Sequence, residues 1–117
     1  MITISLDEAY IFDILSIHEI KKNKSSGAQP HVDNFNKLYT EIANQIGIDK
    51  INKILLSKEY ADLVSANTET FNLVDMVKLN PCLGKEIDQS NFNRYLKKVA
   101  LQEKFFQSQI TETKIGY

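Results

Sequence analysis

Few side chains in this 117-residue sequence are spaced for chemistry. His18 and His31 lie 13 positions apart, with no cysteine beside them and no H-E-x-x-H pattern, so no metal site is expected. His18 and Glu19 are adjacent, and on a helix neighbouring side chains diverge by about 100°. Glu59 and Asp62 have the i, i+3 spacing that begins a magnesium site in nucleotide pyrophosphohydrolases. That chemistry needs a second acidic pair on a facing helix. The sequence has no second E-x-x-E or E-x-x-D, so the pair reads as a solvated helix face. Cys82 follows Pro81 in a loop and has no companion cysteine; it forms no intramolecular disulfide and no thiolate metal site. No P-loop, dinucleotide-binding glycine pattern or G-x-S-x-G is present.

Asp13 is the group whose position demands an explanation. Leu6, Tyr10, Ile14 and Ile17 recur at helical spacing, and Asp13 falls inside their apolar arc, between Leu6 and Ile20 and close to Ile17. An ionised carboxylate there is costly unless it is paired. Arg94 is the only arginine in the chain. Asn91, Arg94 and Lys98 follow i, i+3, i+7 and share one face of a later helix. The spacing predicts that Arg94 or Lys98 reaches Asp13. One outcome is a buried ion pair that fixes helix register. The other is a polar pocket that binds an anionic ligand or partner.

The elements that must position these groups are helical. Ser5 and Glu8 have capping-box spacing, and Lys21, Lys22 and Lys24 suit the negative end of a first helix. That helix is apolar nearly all round, as a central buried helix is. Residues 25–31 read as a loop. A second helix is expected from Asp33 or Asn34, with the stripe Phe35, Leu38, Tyr39, Ile42 and Ile46 and a stop at Gly47. Asp49 can cap a short third helix, and Ser57 a fourth whose stripe runs Tyr60, Leu63, Val64, Phe71, Val74 and Val77. The polar stretch from Ser65 to Thr70 is a candidate break. Asn80-Pro81 ends this helix, and a last one is expected from Asp88 or Ser90 with Phe92, Tyr95, Leu96, Val99 and Phe106.

The bulk numbers fit this layout. Hydrophobic residues are 43% and charged residues 25%, the balance of a globular domain and not of a disordered chain. The formal net charge of −1 gives no general attraction to nucleic acid, although Lys50, Lys53 and Lys58, and Arg94, Lys97, Lys98 and Lys104, cluster locally. No run is long enough to span a membrane. The N-terminus has neither the basic region nor the apolar stretch of a signal peptide, and cysteine usage suits a reducing compartment. A soluble, cytoplasmic protein is expected.

The two ends of the chain resemble a family of small bacterial and phage proteins that has no established activity. Ile4-Ser5, Glu8 and the run Asp13-Ile14-Leu15-Ser16-Ile17-His18-Glu19-Ile20-Lys21 are similar to its opening, with two extra residues before Asp13 and His18 where leucine is usual. Asn91, Arg94, Lys98, Leu101 and Gln102 resemble its N-x-x-R-x-x-x-K-x-x-[IL]-[NQ] segment. Glu112, Lys114 and Tyr117 resemble its terminal E-x-K-x-Y. The resemblance implies a compact helical protein in which Asp13, Glu19, Lys21, Asn91, Arg94, Lys98, Glu112, Lys114 and Tyr117 belong together.

The fold expected is all-α, one compact bundle of about five helices over residues 1–117, with 1–4 and 108–117 as terminal extensions. The alternative is α+β, with a strand from residues 2–4 paired to one near 109–115. The function expected first is a non-catalytic interaction or adaptor protein, a homo-oligomer in one form, with a protein partner or itself as the binding surface's occupant. The alternative is a small enzyme or anionic-ligand-binding protein built on Asp13, Glu19, Lys21, Asn91, Arg94, Lys98 and Tyr117. No metal, cofactor, membrane or nucleic acid is expected in either.

Overall fold

The computed structural model describes residues 1–79 and 84–108, and among them five α-helices and no strand. They are α1 (Glu8–Lys24), α2 (Gln29–Ile46), α3 (Ile48–Leu55), α4 (Lys58–Val77) and α5 (Gly84–Phe106). The chain is an all-α bundle. Cys82, Glu112, Lys114 and Tyr117 lie outside the described residues, as does the proposed strand near 109–115.

Local chemistry sets most boundaries, with some departures from the expected ones. α1 starts at Glu8 after Asp7, whose side chain makes no capping bond. The Ser5–Glu8 capping box does not form; Ser5 is exposed ahead of the helix. A side chain from α5 does the work instead. Gln102 Oε1 accepts the Ala9 N–H at 2.8 Å, and Gln102 Nε2 donates to Glu8 at 2.5 Å. α1 ends where Ser26 and Gly27 take positive φ, with the Gly27 N–H returning to the Lys22 carbonyl. α2 begins at Gln29, several residues before the expected start. Pro30 occupies its first turn, where a missing N–H and a fixed φ cost nothing.

Gly47 closes α2 and opens α3. Its φ of 95° and ψ of 148° lie in a region that side-chain-bearing residues rarely enter. The Ala43 carbonyl accepts its N–H, and its own carbonyl accepts from Ile51. A Cβ at this position would meet no atom within 4 Å, so strain in the backbone is the whole penalty. Gly47→Ala is expected to lose about 1–2 kcal/mol in chemical denaturation; an unchanged midpoint would show that the turn relaxes freely. Ser57 caps α4 as its position suggests, accepting the Tyr60 N–H at 3.1 Å. α4 then runs unbroken through Ser65–Thr70, the stretch whose propensity allows a break. α5 starts at Gly84, earlier than Asp88 or Ser90.

α1 packs against α2, α4 and α5, which makes it the central helix its composition suggests; Ile14 is its one large apolar side chain left exposed. α1 and α4 run in the same direction: Phe12 meets Tyr60 edge-on at 6.5 Å, Ser16 meets Asn67 and Lys24 meets Asn72. α5 runs opposite to both. The apolar core lies on one side of α1, where Phe12, Leu15, Ile51, Ile54, Leu63 and Leu101 are fully buried. The other side differs in kind. The buried polar residues among those described (Asp13, Ser16, Asn67, Thr70, Ser90, Lys98 and Gln102) all belong to α1, α4 and α5. They form a polar seam down the junction of three helices.

Candidate functional site

The seam is continuous in chemistry. At one end Gln102 joins α5 to the first turn of α1. In the middle, Asp13 is buried at 8% exposure, and four side chains gather around it. Asn67 Nδ2 donates to one carboxylate oxygen at 2.9 Å and to Ser16 Oγ at 2.6 Å. Ser16 Oγ in turn donates to the Asp13 backbone carbonyl at 2.7 Å. On the other carboxylate oxygen, Arg94 Nη2 donates at 3.4 Å and Lys98 Nζ stands at 3.9 Å. Beyond this cluster, Thr70 and Ser90 share a hydroxyl–hydroxyl bond of 2.6 Å. The orientation of the Asn67 amide follows from the chemistry, because an ionised carboxylate only accepts.

Two bases therefore face one carboxylate. Lys98 is 3% exposed, and its ammonium also lies 4.7 Å from the centroid of the Tyr10 ring, a cation–π geometry. Arg94 keeps 18% of its side chain exposed and steadies itself by donating to Asn91 Oδ1 at 3.1 Å. Of the three charged side chains, Arg94 is the most exposed.

Arg94 opens onto a cleft of about 280 Å³. Ile17, Phe71 and Val74 form an apolar wall, and Asn67, Thr70, Asn91 and Arg94 supply the polar floor. Behind this floor, two buried atoms of the same residues, Arg94 Nε and Asn67 Oδ1, have no hydrogen-bond partner among the described residues. One is a donor and the other an acceptor. An unsatisfied buried polar group costs about 1–3 kcal/mol, so two in one cluster call for an explanation.

The structure brings Asp13, Asn91, Arg94 and Lys98 together. It does not bring Glu19 or Lys21 to them. Glu19 lies about 120° around α1 from Asp13, and Lys21 about 12 Å further along the axis; neither lines the cleft. Tyr117 lies outside the described residues. Sequence reasoning missed Ser16, Asn67, Thr70 and Ser90. A signal for two of them exists: Leu63, Asn67, Thr70 and Val74 share one helical stripe, which places two polar groups on the face of α4 that meets Asp13. The basic cluster of α5 is also smaller than its sequence suggests, because Arg94 and Lys98 turn inward.

The remaining candidates are separate features. Asp62 pairs with Lys58 at 2.7 Å on the surface, and no group of three or more His, Cys, Asp or Glu side chains among the described residues is arranged to hold a metal ion. Burial, followed by the charges of Lys21 and His31, holds the His18 imidazole below its ordinary value of 6.5. Burial pushes the Glu19 carboxyl up, against a smaller opposing effect of Lys22. The signs differ. Protonating His18 favours the unfolded chain, so its contribution is complete above pH 6.5 and is lost as pH falls below it. Protonating Glu19 favours the folded chain. A modest drop in Tm is expected between pH 7.5 and about pH 6, and His18→Gln should flatten it. An equally steep drop in that variant would assign the effect to another group.

Comparison with known protein families, with curated proteins and with solved structures finds no match for this chain. No helix among the described residues is long and apolar enough to cross a membrane.

Proposed function

We propose that this chain is a non-catalytic ligand-binding domain whose cleft between α1, α4 and α5 receives a small organic anion. The observation that carries the reading is the Arg94 guanidinium, which bonds Asp13, lines the cleft and keeps part of its side chain exposed. The polar lining is one arginine, two amides and a hydroxyl. These groups keep a fixed charge state near neutral pH, so they suit holding a ligand better than exchanging protons with one. The apolar wall opposite supplies the hydrophobic share common to small-molecule sites.

A ligand that binds only the folded form raises Tm, by the equivalent of about 2.7 kcal/mol at a hundred times its dissociation constant. Thermal shift with a panel of small carboxylates, phosphate esters and sulfonates is expected to find at least one that stabilises the wild type and leaves Arg94→Met unmoved. A panel in which no anion stabilises the wild type, or in which Arg94→Met responds equally, would sink the reading.

Self-association is a second reading, supported by one observation. Phe92 and Leu96 are exposed on the outer face of α5, one turn apart, with Phe92 stacked on Tyr95 at 6.5 Å. Sedimentation of a strict monomer at all accessible concentrations would remove it.

A further inference from the structure

The outer face of α5 carries a self-complementary pattern. Phe92 and Leu96 are 44% and 46% exposed. Lys85 and Glu103, also exposed, continue the same stripe seven positions to either side. Intervals of seven, four and seven keep all four side chains within about 40° of arc, over about 27 Å of helix axis. Arg94 lies on the opposite side of α5, turned to Asp13, so this stripe is separate from the cleft.

The stripe reads alike in both directions, except that its two ends carry opposite charge. A parallel neighbour of the same sequence would set Lys85 against its own copy and Glu103 against its own copy. An antiparallel neighbour, related by a two-fold axis near position 94, sets Phe92 against Leu96 of the second copy. It also sets Lys85 against Glu103 of the second copy, and the symmetry repeats both contacts. Opposite charges therefore select the antiparallel arrangement and penalise the parallel one.

α5 alone gives no reason for these two charges. A helix favours acid near its start and base near its end. Glu86 and Lys104 follow that rule, and both project about 100° away from the stripe. Lys85 and Glu103, on the stripe, break it. An antiparallel copy of α5 answers both, because each end of the stripe then meets the charge it lacks.

Resting on the self-association reading above, we infer that a second copy of this chain covers the face, packed α5 against α5, antiparallel about a two-fold axis. The two helices cross at the shallow angle of about 20°, which keeps the charged ends within reach of each other. A steep crossing would splay them apart. A contact one helix wide falls at the small end of specific interfaces, below about 1,200 Å² in total, so the dimer is weak and concentration-dependent.

Sedimentation equilibrium from micromolar to millimolar protein tests the arrangement, with substitutions confined to exposed positions. The wild type is expected to dimerise and Leu96→Lys to remain monomeric. Lys85→Glu and Glu103→Lys each bring like charges together at both ends of the contact. Each is expected to dimerise roughly tenfold more weakly than the wild type at low ionic strength, with the difference narrowing in high salt. The double variant Lys85→Glu/Glu103→Lys should regain the wild-type affinity. An equal mixture of the two single variants should form the heterodimer in preference to either homodimer. Charge variants that all dimerise like the wild type, or a mixture without that preference, overturn the antiparallel register and leave self-association standing. Dimerisation that survives Leu96→Lys overturns this face as the interface. A wild type that stays monomeric throughout removes both the inference and the reading it rests on.

Discussion

Asp13→Ala is expected to lower folding stability by about 3–5 kcal/mol, the usual cost of removing one partner from a buried ion pair. The loss does not come from the carboxylate's own contacts alone. Its removal takes a carboxylate away from the Lys98 ammonium, at 3% exposure, and from the Arg94 guanidinium. It also strands the Asn67 amide, whose Nδ2 then keeps only Ser16. In a domain of this size the change corresponds to a fall in Tm on the order of 10–20 °C. The mechanism is separable from simple loss of packing. Adding Lys98→Met removes one of the two cations that Asp13 faces, so the double variant should recover roughly 2 kcal/mol relative to Asp13→Ala. Urea denaturation of the four proteins in the cycle measures this. A single-variant loss below about 1 kcal/mol, or a double variant no more stable than Asp13→Ala, would mean that Asp13 does not neutralise the seam.

The second large effect is expected at Gln102. Replacement by methionine keeps the length and removes every polar contact. The Ala9 N–H loses its acceptor, and Glu8 loses a donor. A buried unsatisfied donor costs about 1–3 kcal/mol, and a hydrogen bond to a charged group is worth about 1.5–3 kcal/mol. The combined loss is placed at about 2–4 kcal/mol, since such contributions overlap at adjacent residues. Amide hydrogen exchange supplies the local readout. In Gln102→Met the first turn of α1 should exchange much faster than the rest of the helix, while the middle of α4 keeps its protection. Uniform loss of protection would indicate global weakening, and no loss at all would show that Asp7 or solvent caps the helix adequately.

The contrast between Asp13 and Gln102 shows what the sequence could and could not reveal. Asp13 was legible because it breaks an apolar arc on its own helix, and burial physics then requires a cation. Arg94 and Lys98 were legible because they share a helical face with Asn91. The capping role of Gln102 was not legible. Local rules favour Ser5 with Glu8, and the actual acceptor lies 93 positions from Ala9. Asn67 and Thr70 suffered from a different ambiguity. Within α4 they are weak helix formers, and propensity alone allows a break between Ser65 and Thr70. Their hydrogen bonds to Asp13, Ser16 and Ser90 supply tertiary support that outweighs propensity, and the helix continues. α2 and α5 start earlier than their stripes suggest for a simpler reason: the polar, Pro- or Gly-bearing first turns of both carry no apolar stripe to announce them.

The antiparallel pairing of α5 with α1 bears on how the protein is made. Synthesis delivers α1 first and α5 last, at about 5–20 residues per second. Until α5 clears the ribosome, α1 has a bare carboxylate on its greasy side and an uncovered first turn, because the cations and the glutamine that cover them come from α5. The nascent chain is therefore expected to stay open to proteases until α5 has emerged and then to close in one step. Stalled chains that stop before Arg94 should be digested readily, whereas chains extended beyond Ser108 and clear of the exit tunnel should resist.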